Sequence, residues 1–341
     1  MGLLLDLRST NPYTDCAAVF TLNRRFREPD NRIDMTSAIQ RQPVSGEQPL
    51  PAFKPDVEKQ HEWVVRAALV LVLALIWFPL MGAFGLWDPW ETHYGEVGRQ
   101  LLERGDWVST WWGSHWRNGE GASEGTYFYS KPILLMWMMG LGMETLGHNS
   151  WGLRMGVALI AFTAAFSLYL MGREVWSRRT GVFMALVTAT SPFFTMLGRQ
   201  AQTDMPFVGL MTVSLAFLMM GIFGKRRKDK ATAVDILMFL AFWLVLFIPQ
   251  MQLIWVKFGD ITETTPLFRK GWMMVIMYCL PVAIVLASLI FQKKKVTKGQ
   301  VWLFAFYVFV ALATLAKGIL GFAVPGAIAL IYLLVSREWW L

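Results

Sequence analysis

Charge is scarce in this chain: only 16% of its 341 residues are Asp, Glu, Lys or Arg, against roughly 25% in soluble domains. Cysteine is scarcer still. Of the two, Cys16 lies in a polar leader and Cys279 in an apolar run, which excludes a disulfide framework and a cysteine metal site. The histidines match no metal motif in their spacing, and His93, His115 and His148 are read as solvated or headgroup-facing. No Gly-rich phosphate loop and no strong internal repeat is present, and nothing suggests a soluble enzyme domain. The first apolar run begins only near Val64, too far in to read as an ordinary cleavable signal peptide. Met1-Gly2 is no lipidation site, because Asp6 stands where Ser or Thr would be needed.

What fills the chain instead is apolar: 55% hydrophobic residues, with 17 Trp and 24 Phe. A bilayer span needs about 20 mostly apolar residues. Such runs occur at about 64–84, 153–172, 181–197, 205–224, 233–256, 271–291, 300–316 and 319–335. The expected fold is an all-α membrane protein, a bundle of about eight transmembrane helices with interfacial helices in the first outer loop. Residues 1–63 form a disordered cytoplasmic extension in this reading, and 64–341 the membrane domain.

The net charge of +8 is gathered in short loops between apolar runs. That is the positive-inside pattern and not the footprint of a nucleic-acid binder. The clusters are Arg173, Arg178 and Arg179; Lys225, Arg226, Arg227, Lys228 and Lys230; and Lys293, Lys294, Lys295 and Lys298. Two spans separate each from the next, so all three face the cytoplasm. Lys54, Lys59 and Arg66 join them only if 131–147 does not span, so that stretch is read as a helix in the outer interface, with a ninth span as the alternative.

This topology places 85–152, 198–204, 257–270 and the turn at Lys317-Gly318 on the outer face. Asp88, Pro89 and Glu91 form a capping-box pattern, and capping alone explains those residue types. Asp88 and Glu91 at the lip of a span also suit proton abstraction from an acceptor. Asp204 either caps the next helix or adds a further carboxylate to the same face. Lys131 and Lys317 either snorkel among headgroups or hold a phosphate. Single features have ordinary explanations; together they put carboxylates and cations on one outer surface while the span centres stay uncharged.

Four ordered blocks then resemble a known family: LWDPWETHYGEVGRQLLERGDW, YFYSKPILLMWMMGLGMETLGHNSWGLR, GRQAQTDMP and LAKGILGFAVPG, over residues 85–326. They resemble the GT-C type polyprenyl-phosphate-sugar glycosyltransferases, which include the aminoarabinose transferases of lipid A and the protein O-mannosyltransferases. The bacterial aminoarabinose branch is the nearer likeness. The resemblance implies Asp88, Glu91 and Asp204 as catalytic carboxylates, and Lys131, Arg199 and Lys317 as the carrier-phosphate site. It implies a polyprenyl-phosphate-linked sugar as donor and a lipid A-like glycolipid or a protein as acceptor. It also implies a bacterial inner membrane location with the site on the periplasmic face. No cofactor is required; a divalent cation held by Asp88, Glu91 and Asp204 would suit hard oxygen ligands. The family's chains continue beyond the point where this sequence stops at Leu341, so it reads as C-terminally truncated. The rival readings are a lipid or solute transporter and an inactive remnant. Transporters carry ionisable groups or broken helices near the midplane, whereas Asp235 lies near a span end.

Overall fold

The computed structural model describes residues 61–113, 125–238, 240–241 and 296–337. The expectations for the leader 1–60, His115, Lys293–Lys295, the loop 257–270, the span 271–291 and most of the span 233–256 lie outside these residues. Helix α1 (Glu62–Trp77) leads through an irregular stretch into α2 (Trp90–Arg104). A short antiparallel hairpin follows, β1 (Trp111–Gly113) paired with β2 (Gly125–Tyr127), with Trp111 opposite Tyr127. Then come α3 (Leu134–Leu146), α4 (Ser150–Val175), α5 (Arg178–Thr190), α6 (Pro192–Gly198), α7 (Asp204–Phe223), α8 (Lys298–Lys317) and α9 (Leu320–Ser336).

Among the described helices α4, α7 and α8 are long and apolar enough to cross a membrane by themselves. The expected single span 181–197 is instead two helices, α5 and α6, meeting at 71°. The break follows from Ser191-Pro192: a residue before proline avoids helical dihedrals, and Ser191 sits at ψ 121°. The expected span 64–84 is helical only to Trp77, and Leu80 takes a positive φ of 59°. At 13 residues α3 is about 20 Å long, short of the roughly 30 Å of hydrocarbon.

Helix α4 is the centre of the bundle. Ala158, Ala161, Ala164 and Ala165 are fully buried on it, and small residues let neighbouring backbones approach closely. Gly142 of α3 and Gly152 of α4 cross so tightly that a Cβ on either would overlap the other's carbonyl. Around this centre α3 lies between α2 and α4, while α7 packs against both α4 and α8. Outward-facing Leu71, Leu75, Phe183, Val187, Phe322 and Ile331 leave an apolar surface, suited to lipid because the helical backbone satisfies its own polar groups.

The basic loops meet at one end. Buried Glu174, at the end of α4, pairs with Arg226 and with Arg173 at 3.3 Å, and Arg173 also pairs with Glu62 at the start of α1. Lys298 approaches Asp235 at 3.6 Å, and its amide donates to the Asp229 carbonyl. The start of α1, the Arg173 loop, the 225–230 loop and the start of α8 therefore share one end of the bundle.

Candidate active site

At the opposite end, the break after α1 exposes backbone carbonyls that an apolar setting would leave costly. Two arginines satisfy them. Arg199 donates to the carbonyls of Ile76 at 2.8 Å and Pro79 at 2.7 Å. Arg154, the fifth residue of α4, donates to those of Met81 at 2.5 Å, Phe84 at 3.1 Å and Gly85 at 2.7 Å. Its guanidinium lies 4.0 Å from the centre of the Phe84 ring.

The same guanidinium grips Glu91 with both arms, Nε to Oε1 at 2.8 Å and Nη2 to Oε2 at 2.7 Å, and both side chains are fully buried. Glu91 then accepts from the amides of Ala201 at 2.7 Å and Trp87 at 2.8 Å. A carboxylate has about four acceptor positions, so none remains. One buried pair thus ties the loop before α2, helix α4 and the turn before α7. This corrects the capping-box reading: the N-cap of α2 is Pro89, with no side-chain cap, and Glu91 faces inward. The expected ligand set of Asp88, Glu91 and Asp204 does not gather, and among the described residues no three metal-type ligands do.

Asp88 is exposed and accepts a hydrogen bond from Thr92 Oγ1 at 2.6 Å. Asp204 opens α7 without acting as its cap, since the N-cap is Thr203, and it pairs with Lys317 at the end of α8. Lys317 also lies 5.8 Å from the Phe207 ring centre. Pro132 stands within van der Waals reach of where a Cβ would sit on Gly318, which puts the Lys131-Pro132 block beside the Lys317-Gly318 turn. Lys131 is exposed and, among the described residues, makes no hydrogen bond or ion pair. On α2, burial first, and then the Asp204 charge, push the Tyr94 hydroxyl above its ordinary pKa.

The structure therefore brings together Asp204, Lys317 and the Lys131 block beside Tyr94. It does not join Asp88 to them by any bond among the described residues, and Arg199 is held by the end of α1. His93 is no solvated histidine: it stacks on Trp112 at 4.9 Å and meets Phe128 edge-on at 5.0 Å. Sequence reasoning missed Arg154. The signal was present, because an arginine within an apolar run facing a bundle interior calls for a buried partner.

Comparison with known proteins points the same way. Residues 130–243 match the family model described as dolichyl-phosphate-mannose-protein mannosyltransferase. An undecaprenyl phosphate-alpha-4-amino-4-deoxy-L-arabinose arabinosyl transferase 2 of Pseudomonas fluorescens is 26% identical over 237 residues, 67% of this chain and 39% of the relative. A Pseudomonas aeruginosa transferase of the same name without the numeral is 26% identical over 48% of this chain and 28% of its own length. The crystal structure of ArnT from Cupriavidus metallidurans in the apo state superposes with a TM-score of 0.52 over 82% of this chain and 37% of that one, at 22% identity. The undecaprenyl phosphate-bound form gives 0.51 at 21% identity. The chain thus spans less than two-fifths of the length of these relatives. Family model, relatives and shared fold together make this chain similar to the GT-C type polyprenyl-phosphate-sugar glycosyltransferases, and its fold is that of a multi-span helical membrane protein.

Proposed function

We propose that the chain belongs to a membrane glycosyltransferase that moves a sugar from a polyprenyl phosphate to an acceptor on the outer face of a bacterial inner membrane. The observation that carries this reading is the meeting of three separate sequence blocks, at Asp204, Lys317 and Lys131-Pro132, in one mixed-charge site. Lys131, whose ammonium makes no hydrogen bond or ion pair among the described residues, and Lys317 stabilise the charge that builds on the departing phosphate. Asp204 holds Lys317 in place. Asp88, which among the described residues accepts only from the neutral Thr92 hydroxyl, is the base that takes the acceptor proton. Glu91 and Arg199 act through placement, since their polar atoms are taken by backbone and by Arg154. Single displacement inverts the anomeric centre. The relatives named for undecaprenyl-phosphate aminoarabinose favour an amino sugar donor.

The test is transfer of radiolabelled sugar from a polyprenyl-phosphate donor in membranes, measured with Lys131→Ala beside the parent. Loss of one charged phosphate contact costs about 1.5–3 kcal/mol, or about ten- to a hundredfold in donor affinity. Unchanged donor dependence would leave Lys131 a snorkelling residue.

Orientation is tested separately. Single cysteines at positions 90 and 228 should label with an impermeant reagent from opposite sides, 90 from outside. The basic clusters at one end of the bundle motivate this expectation. Labelling of both from one side would overturn the topology.

A further inference from the structure

The basic end of the bundle holds more cations than its carboxylates engage. Glu174 is taken up by Arg173 and Arg226, and Asp235 lies against Lys298. On the loop after α7, Lys228 and Lys230 are exposed, and their side chains make no hydrogen bond or ion pair among the described residues. The same holds for Arg337, just past the end of α9. Against them the loop sets one carboxylate, Asp229.

The loop that carries these lysines is held in place. The Lys225 amide donates to the Glu174 carbonyl at 3.1 Å, and its ammonium to the Trp176 carbonyl at 2.5 Å. From the start of α8, the amides of Lys298 and Gly299 donate to the carbonyls of Asp229 and Arg227, each at 2.9 Å. Phe223, the last residue of α7, meets Tyr332 of α9 edge-on at 5.6 Å, which makes the loop and Arg337 neighbours at adjoining helix ends. The helix surface there is apolar and open. Ile328, Ile331 and Val335 share one face of α9 by their spacing, and Val335 is 80% exposed. Arg337 itself takes a φ of 57°, a left-handed position that usually goes to glycine. A side chain is retained there against the backbone's preference.

We infer that this corner between the ends of α7 and α9 binds an anionic glycerophospholipid, with its phosphodiester among Lys228, Lys230 and Arg337 and an acyl chain along Ile328, Ile331 and Val335. The inference goes beyond the transferase reading. The proposed orientation decides only that the lipid comes from the cytoplasmic leaflet. Basic side chains beside a membrane attract anionic head groups, and charged donors make strong bonds to phosphate oxygens. A free phosphate or nucleotide would leave the apolar wall bare, and a zwitterionic lipid would bring its own ammonium into a cationic corner. A general excess of basic residues at one membrane face attracts anionic lipid without choosing a position. The fixed loop, the open wall and Arg337 together choose one.

The experiment uses the full chain in phosphatidylcholine nanodiscs doped with phosphatidylglycerol that carries a diazirine in one acyl chain. Photolabel should map to 328–337 and to Phe223. An excess of about tenfold of unlabelled phosphatidylglycerol should reduce it about tenfold by mass action, whereas the same amount of phosphatidylcholine or polyprenyl phosphate should not. Arg337→Gly should lower the label about fivefold, the attraction of one basic side chain for an anionic lipid surface. Its unfolding midpoint should stay level or rise, because glycine is at ease in the left-handed position. Adding Lys228→Gln and Lys230→Gln should lower the label further. Equal labelling by a phosphatidylcholine probe, label spread evenly over the helices, equal competition by polyprenyl phosphate, or full labelling of the triple variant would overturn the proposal. The competition on the unsubstituted chain decides even if a variant fails to fold. No sugar transfer enters this readout, so a negative result leaves the transferase reading intact, and loss of that reading leaves the lipid site.

Discussion

Asp88→Asn should lower sugar transfer by about a hundred- to ten-thousandfold, the usual effect of removing a general base, while leaving the fold intact. The substitution is clean here because of what Asp88 touches. Its structural bond is one accepted from the Thr92 hydroxyl, and an asparagine carbonyl accepts the same bond. It is not the cap of α2, whose N-cap has no side-chain bond, so helix stability does not confound the result. Asp204→Asn removes the partner of Lys317, whose ion pair is 34% and 42% exposed on its two sides. An exposed pair of this kind contributes at most about 1 kcal/mol to folding, so a loss of activity there reports on the site. If both carboxylates serve one transition state, the double variant should lose less than the product of the single losses. The measurement is transfer in membranes normalised to protein level, in a parent shown to be active. Full activity in both variants would sink the assignment.

Arg154→Met should be the most destabilising single change at this end of the molecule. It strands Glu91 as a buried carboxylate and orphans the carbonyls of Met81, Phe84 and Gly85. Breaking a buried pair from one side costs about 3–5 kcal/mol. Glu91→Gln should cost less, since the amide oxygen still accepts from one of the backbone amides it now serves. Adding Glu91→Leu to Arg154→Met should recover part of the loss, because the uncompensated charge is gone. The recovery stays incomplete, as the orphaned carbonyls and the Ala201 amide remain, at about 1–3 kcal/mol for each buried unsatisfied group. Unfolding midpoints in detergent for these three variants and for Glu91→Leu alone check this order. A simple sum of the two single effects in the double variant would show that Glu91 and Arg154 do not act as a pair.

The sequence by itself determined that this is a membrane bundle and which loops share an end. Both properties are local or additive: apolar run length counts residues against hydrocarbon thickness, and charge parity needs only the order of spans. The ordered blocks likewise singled out Asp88, Glu91, Lys131, Arg199, Asp204 and Lys317 before any of them could be placed.

Only the tertiary structure decided which of these residues meet. Asp204 and Lys317 lie 113 residues apart, and their pairing depends on how α7 packs on α8. The Glu91 pattern misled because a carboxylate three residues after Asp88 reads as a capping box wherever no distant partner is known. Arg154, 63 residues further on, turns Glu91 inward by offering a two-armed, charged contact in a setting closed to water, and the Trp87 amide is kept beside it. The break of 64–84 into a short helix and an irregular stretch has the same origin. An apolar run specifies burial but not backbone continuity, and the interruption is sustained by donors from Arg154 and Arg199, which the chain brings back from later segments.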